Sequence, residues 1–442
     1  MVLDWRSFLA RLNTNNPVLA RHLTQWENES LCGYAGALWR HHPDPASAAG
    51  QMAAANHLEA VAQRYFGHSV ELASQLEFQR VLLTVHHTAP LFHPIALQTL
   101  LLAVASADMP QRIPVLATDW IPMDNMFFPR GLLLPTDSGL TSYNLFGKSS
   151  RKKLVSQMEG FDKAAVAGML SNLHKDTRKG AIPAPLGKFT CEFVEQFYLA
   201  EKVLEKCHYR EQCAVLNHLA WAQLFPAHPL IQLNISDVIL PLLMESLRDP
   251  SSLIYAVLFD PDVRSEVLDV LEGVGGCWDR QRESGTCFFW LQHNQKMRPI
   301  LQLERDCLLA GEIEIELTPR TIIELLERGH IIPGVFLVFA QLMFVNRFSC
   351  VGGMRQIAYN SDIRDGLIRV FVTRAPQFVA AVKNFPMDHF AAGINAINLA
   401  PGRAITLLEL MSSPHLLEDD WRCQPLRGAV LEASDYLLAL SA

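Results

Sequence analysis

Apolar positions in the first eighty residues recur at helical spacing. Trp5, Phe8, Leu9 and Leu12 form one such set and Leu58, Val61, Ala62 and Tyr65 another, each describing a single apolar face. The pattern predicts a helical lead-in over residues 1–79. At Arg80-Val81-Leu82-Leu83-Thr84-Val85 it changes to a short, continuous apolar run with β-branched residues, and a second run follows at Ile113-Pro114-Val115-Leu116-Ala117. Pro94 to Ala107, between them, has the length of a helix, so the unit reads strand, helix, strand and opens a parallel α/β sheet. Pro229 to Asn234 reads as a further buried strand whose end presents Ser236 and Asp237 at the carboxyl edge, where open α/β sheets bind ligands. The charge-rich stretch from Phe146 to Lys188 contains a surface connection at Lys179–Pro185, and long helices are expected from Phe193 to Phe225. Residues 251–330 read as a smaller α/β unit, with Cys287–Leu291 and Pro299–Leu303 pairing around a polar turn at His293–Lys296. The remainder, 331–442, returns to the core and then runs mostly helical, so the expected core is residues 80–250.

Composition narrows the function classes. Half of the 442 residues are apolar, 19% are charged and the formal net charge is -7, without the basic bias that phosphate-backbone binding needs. Nucleic acid is thereby set aside as a partner. The apolar runs Ile95–Ala107 and Ile331–Val345 fall short of the roughly 20 residues of a membrane span, and the second contains Gln341. No membrane partner is expected. Met1-Val2-Leu3-Asp4-Trp5 has no basic segment leading into an apolar one, so the reading is cytoplasmic. The nine cysteines are scattered with no CxxC pair, as befits reduced thiols. An oligomer is left open, but no heptad run predicts a coiled coil.

Four blocks in order carry chemistry. The first is Thr84-Val85-His86-His87-Thr88-Ala89-Pro90-Leu91-Phe92-His93-Pro94. The second runs from Ile113-Pro114-Val115 through Trp120 to Asp124-Asn125-Met126. The third is Leu233-Asn234-Ile235-Ser236-Asp237. The fourth runs from Gln341 to Val351-Gly352-Gly353-Met354-Arg355-Gln356-Ile357-Ala358-Tyr359, with Phe289-Trp290 and Arg298 as a hairpin between the last two. Together they resemble the bacillithiol synthase family, the cysteine-adding enzymes of low-molecular-weight thiol biosynthesis, over most of residues 80–370. Val85 and His93 stand where that family has glycines, Met126 where it has His, Gln356 where it has Glu, and Val338-Phe339-Ala340 where it has Arg-Pro-Leu. The resemblance implies an α/β fold with a Rossmann-like parallel-sheet core and helical N- and C-terminal additions. It also implies a ligase-like condensation of cysteine, or another small amine, with a sugar-linked or carbonyl acceptor such as glucosaminyl malate.

Such chemistry needs a base, donors for an anion and polar strand ends for a hydroxylated substrate. His86, His87 and Asp124 are the candidate catalytic residues, with His86 as base or anion donor before a helix N-terminus. Capping a strand and a helix is the structural alternative for both histidines. Trp120, Asn125, Asn234, Asp237, Arg298, Gln341, Gly353, Gln356 and Tyr359 are the candidate substrate contacts. Asp124 and Asn125 equally suit a plain turn, and Asn234 and Asp237 a helix N-cap. His93 brings a third imidazole near, but no metal site is assigned because no matched carboxylate accompanies it. Phe146-Gly147-Lys148-Ser149-Ser150-Arg151-Lys152-Lys153 is the one concentrated basic run. Lys148, Ser149 and Arg151 could take a phosphate there, or simply face water, and the run lacks the upstream Gly of a Walker A loop. An adenine nucleotide is the one cofactor left open. The alternatives are a noncatalytic metabolite- or partner-binding descendant, or a nucleotide-dependent transferase. An enzyme predicts His86, His87, Asp124, Asn234 and Gln356 converging on one cleft, whereas a binding descendant could fill that cleft with Met126 and Phe127.

Overall fold

The computed structural model describes residues 4–40, 48–106, 110–136, 139–293, 296–304, 306–387, 390–418 and 420–441. Met1–Leu3, Ala107 and the hairpin tip at 294–295, which entered the sequence expectations, lie outside the described residues. The chain is mixed α/β around a four-stranded parallel sheet. Its strands are β1 (Val81–Leu83), β2 (Ile113–Ala117), β3 (Leu230–Asn234) and β4 (Ser349–Val351), in the order β4-β1-β2-β3. The first three are the runs read from the sequence. The fourth was expected only as part of a Gly-containing turn, because three residues of Ser-Cys-Val carry too little pattern to register as a strand.

All four strands are buried along their length, as a parallel sheet covered on both faces requires. Their side chains alternate between two cores. Val81, Leu83, Val115, Leu230 and Val351 face one, while Leu82, Leu116, Ile231, Leu233 and Cys350 face the other. The first core is covered by α2 (Pro94–Ala103) and α3 (Tyr209–Ala222), together with N- and C-terminal helices. The second is covered by α1 (Ala48–Phe66) and α4 (Ile235–Arg248). Pro114 sits in a central strand because β1 registers against β2 only at Leu83–Val115, so the missing N–H forfeits little.

The helical lead-in is present, at Trp5–Asn15, Pro17–Trp26, Leu31–Trp39, α1 and Leu72–Phe78. Its early helices do not stand apart from the C-terminal region. The Tyr34 hydroxyl donates to the Phe390 carbonyl at 2.6 Å, and Asn16 Nδ2 donates to the Met354 carbonyl at 2.8 Å, where α5 (Met354–Arg374) begins.

Two expectations need correcting. The helical stretch expected from Phe193 to Phe225 is divided into a wide π turn at Val194–Tyr198, a short helix at Glu201–Leu204 and α3, with breaks at 199–200 and 205–208. The hairpin expected between Cys287–Leu291 and Pro299–Leu303 is tighter: Phe289–His293 pairs with Lys296–Pro299, and Gln302–Glu304 joins a separate sheet with Cys307–Ala310. A second hairpin, Gly131–Thr136 with Gly139–Asn144, went unread. It requires glycine at 131, where a Cβ would stand 2.0 Å from the Tyr143 carbonyl oxygen. Among the described residues, no helix is long and apolar enough to cross a membrane.

Candidate active site

The carboxyl ends of β2 and β3 carry a polar network that is mostly shut away from water. Asp119 lies two residues beyond β2 and is fully buried. The Ser236 hydroxyl donates to its Oδ2 at 2.6 Å, and the Ser236 backbone N–H donates to Oδ1 at 3.2 Å. Arg210, at the start of α3, reaches across with Nη1 3.5 Å from Asp119 and Nη2 3.3 Å from Asp237. Asp237 also accepts from the Tyr65 phenol and pairs with Arg64 at 3.1 Å. Asn234 Nδ2 donates to the Tyr65 oxygen at 2.7 Å and its Oδ1 accepts from Thr88 at 2.8 Å, which ties the loop after β1 to the end of β3.

Burial sets the electrostatics here. It raises the Asp119 carboxyl to about 6, against the pull of Arg210 and Ser236 toward the ionised form. Burial and the neighbouring Asp237 carboxylate push the Tyr65 phenol well above its ordinary range, so it stays a donor. Arg210 is held above its usual value by the two carboxylates, although burial opposes them. Asp237 lies in the first turn of α4, where the helix dipole favours a negative charge. Asn234 occupies the N-cap position of that helix, but its side chain caps nothing; Asp119 holds the Ser236 N–H in its place.

The histidine loop lies on the same edge of the sheet. His87 Nδ1 and Asn125 Oδ1 are 2.7 Å apart, so the imidazole donates from Nδ1 and its Nε2 is a free lone pair. Burial lowers the His87 pKa, and the bond to Asn125 partly restores it. His93 caps α2, its Nδ1 accepting from the Ile95 N–H at 3.3 Å, and burial with the nearby His87 brings it down to about 4. Phe127 packs between the two rings, 4.6 Å from His87 and 4.8 Å from His93. Beyond His93 opens a cavity of about 660 Å³, walled by the 131–144 hairpin and the C-terminal segments.

The structure brings together only some of the residues the sequence nominated. His87, Asn125, Asn234 and Asp237 share the carboxyl edge, joined through Thr88. His86 is less suited to act as base than expected: it is buried, among the described residues its Nε2 has no hydrogen-bond partner, and burial together with His87 drops it to about 3. Asp124 is engaged elsewhere, 3.2 Å from Lys152 and 3.8 Å from Arg151. Lys148 and Ser149 stand exposed on a short 3₁₀ turn, and the exposed Arg151 follows it.

Gln356 lies at the β1–β4 end of the same edge, where its amide contacts the Thr84 hydroxyl and donates to the Cys350 carbonyl at 3.3 Å. Gly353 precedes α5 there, where a Cβ would come into ordinary contact with Val85 and Ala392. Four more nominated positions make none of the network's hydrogen bonds or ion pairs among the described residues. Gln341 precedes β4 at the opposite, amino edge of the sheet, bonded to Asn346 at 2.9 Å. Arg298 is exposed on an outer hairpin strand. Tyr359 packs on Phe339, at 5.5 Å between ring centroids. Trp120 is half-buried against the second core. Among the described residues, no group of three or more His, Cys, Asp or Glu is arranged to hold a metal ion.

Sequence reasoning missed Asp119, Arg210, Tyr65 and Thr88. The signal for Asp119 was present, since it lies two residues beyond a strand and precedes Trp120. Arg210 and Tyr65 arrive from helices far away in the chain and carry no local mark. No protein-family model, curated protein or solved structure matches this chain.

Proposed function

We propose that the chain is a biosynthetic condensing enzyme with a Rossmann-like core, joining cysteine or another small amine to a sugar-linked or carbonyl acceptor. The order β4-β1-β2-β3, with β1 followed by α2 and β2, supports that core. The observation that carries the functional reading is the Asp119–Arg210–Asp237–Tyr65–Asn234 network on the carboxyl edge. It gathers charge, donors and a strongly shifted carboxyl where α/β sheets take their ligands. In this reading, the acceptor's hydroxyls lie against Asp237 and Arg64, the side of the network that reaches solvent. His87, neutral at pH 7 with Nε2 free, takes the proton that the attacking amine sheds as its N–C bond forms and the acceptor's C=O π bond opens, the resulting alkoxide being protonated from solvent.

One observation favours a second reading, a noncatalytic binding protein. Phe127 occupies the space between His87 and His93, and His86 is sealed. A thermal-shift screen separates the two, run with cysteine, other amino acids, glucosaminyl malate, sugar phosphates and adenine nucleotides on the wild type, His87→Ala and Asp237→Asn. The enzyme reading expects a shift with an acceptor that Asp237→Asn abolishes, and product formation that His87→Ala abolishes while binding persists. Binding without turnover in any pairing supports the second reading. Shifts that neither substitution alters would overturn the placement of the site.

A further inference from the structure

The cavity of about 660 Å³ beyond His93 is of small-molecule size and lies on the far side of Phe127 from His87. Three carboxylates line it, Glu409, Glu432 and Asp435, against one guanidinium, Arg403. Arg403 is already paired with Glu409 at 2.5 Å, and that carboxylate also closes a capping box with Thr406. Glu432 accepts from the Gly402 N–H, while Asp435 is exposed and makes no described hydrogen bond or ion pair. His93 adds no positive charge, because burial and His87 keep it neutral at pH 7. Arg355 approaches Tyr436 from α5 without lining the cavity, and even with its charge counted the wall keeps a negative excess. The apolar part of the wall is Ile95, Leu140, Pro401 and Leu431.

We infer that this cavity binds a small amine that carries an apolar body and no free carboxylate. An ammonium group meets the uncompensated Asp435 and Glu432, the body covers the apolar wall, and a carboxylate on the ligand meets like charge. The inference rests on the condensing-enzyme reading only for its role, since it makes this cavity the entry for the amine substrate. It narrows the nucleophile from cysteine toward decarboxylated amines.

Calorimetric titration of the full chain with 2-phenylethylamine, 2-phenylethanol and phenylalanine tests it. The amine is expected to bind at least about tenfold tighter than the other two, a difference of ~1.4 kcal/mol. Asp435→Asn, at an exposed position, is expected to weaken the amine about threefold while leaving the alcohol unchanged. Leu140→Trp, placed on an exposed hairpin position at the cavity wall, is expected to abolish binding by filling the space. Equal affinity for the alcohol or the amino acid, no binding of the amine, or binding indifferent to both substitutions would overturn the inference. Binding as expected with no condensation activity leaves this site standing and removes only the functional reading. The converse result, turnover with no amine bound in this cavity, removes only this site.

Discussion

Ser236 places both its hydroxyl and its backbone N–H on the Asp119 carboxylate, at 2.6 and 3.2 Å. The two residues come from the ends of neighbouring parallel strands, β2 and β3, whose register brings Ala117 opposite Asn234. The sheet therefore delivers a buried acid to the N-terminus of α4, and the acid's protonation state becomes part of the fold's stability.

That linkage has a sign. Burial raises Asp119 in the folded state from 3.8 to about 6, so the native protein binds more protons than the unfolded chain between those values. The contribution is fully present below pH 4 and is lost as pH rises through 6, amounting to about 2–3 kcal/mol. Denaturant unfolding of the wild type and Asp119→Asn from pH 4 to pH 7 reads it directly. The wild type should lose stability relative to the variant as pH rises, and a constant difference would refute the assignment.

Arg210 serves two carboxylates at once, with a side chain only 18% exposed. Arg210→Met leaves Asp119 and Asp237 facing each other across the network, and should destabilise by about 3–5 kcal/mol. Adding Asp119→Asn to it should return part of that loss, because one of the stranded charges is removed. Urea denaturation of the two single variants and the double variant at pH 7 measures the coupling, and strict additivity would show that the contacts do not form one network.

His87 provides a test confined to one side chain. Burial lowers its pKa and the Asn125 bond raises it, so Asn125→Leu should lower it further. The imidazole C–H resonances followed by NMR over pH 4–8 report the change, with a midpoint below the usual 6.5 in the wild type and lower still in the variant. A midpoint that rises in Asn125→Leu would mean that the 2.7 Å contact does not form in solution.

How much of this was legible depended on whether the signal was local. The runs at 81–83, 113–117 and 230–234 announced themselves because a parallel strand buried on both faces is continuously apolar. The strand at 349–351 did not, because Ser349 and Cys350 are buried by their neighbours rather than marked by their own hydrophobicity. In the candidate site, Asn234 and Asp237 were readable from their place at a strand end. Tyr65 looked like one more apolar position on a helical face, and only the fold turns its hydroxyl onto Asp237. His86 and His87 were indistinguishable as neighbours in sequence. Their alternation across the loop buries the first and leaves the second only partly buried.

Gln356 joins β1 to β4 at the carboxyl edge of the sheet. Here the side chain is buried, its amide nitrogen 2.8 Å from the Thr84 hydroxyl and 3.3 Å from the Cys350 carbonyl. A carboxylate in its place would turn an acceptor toward that carbonyl, while a protonated acid would still donate. Gln356→Glu should therefore cost little at pH 4. As pH rises the buried group must ionise, and the cost should grow to about 2–4 kcal/mol at pH 8, from desolvation and the lost donor together. The sign follows from a carboxyl whose folded pKa is raised: stability is retained below the unfolded value and lost as pH passes the folded one. Thermal unfolding of Gln356→Glu against wild type at pH 4 and pH 8 checks it. If the variant is as stable as wild type at pH 8, a counter-charge must reach this position, and Gln356 would become a candidate ligand contact. If it is destabilised as expected, the amide is a structural clasp between β1 and β4, and this end of the sheet edge is closed to substrate.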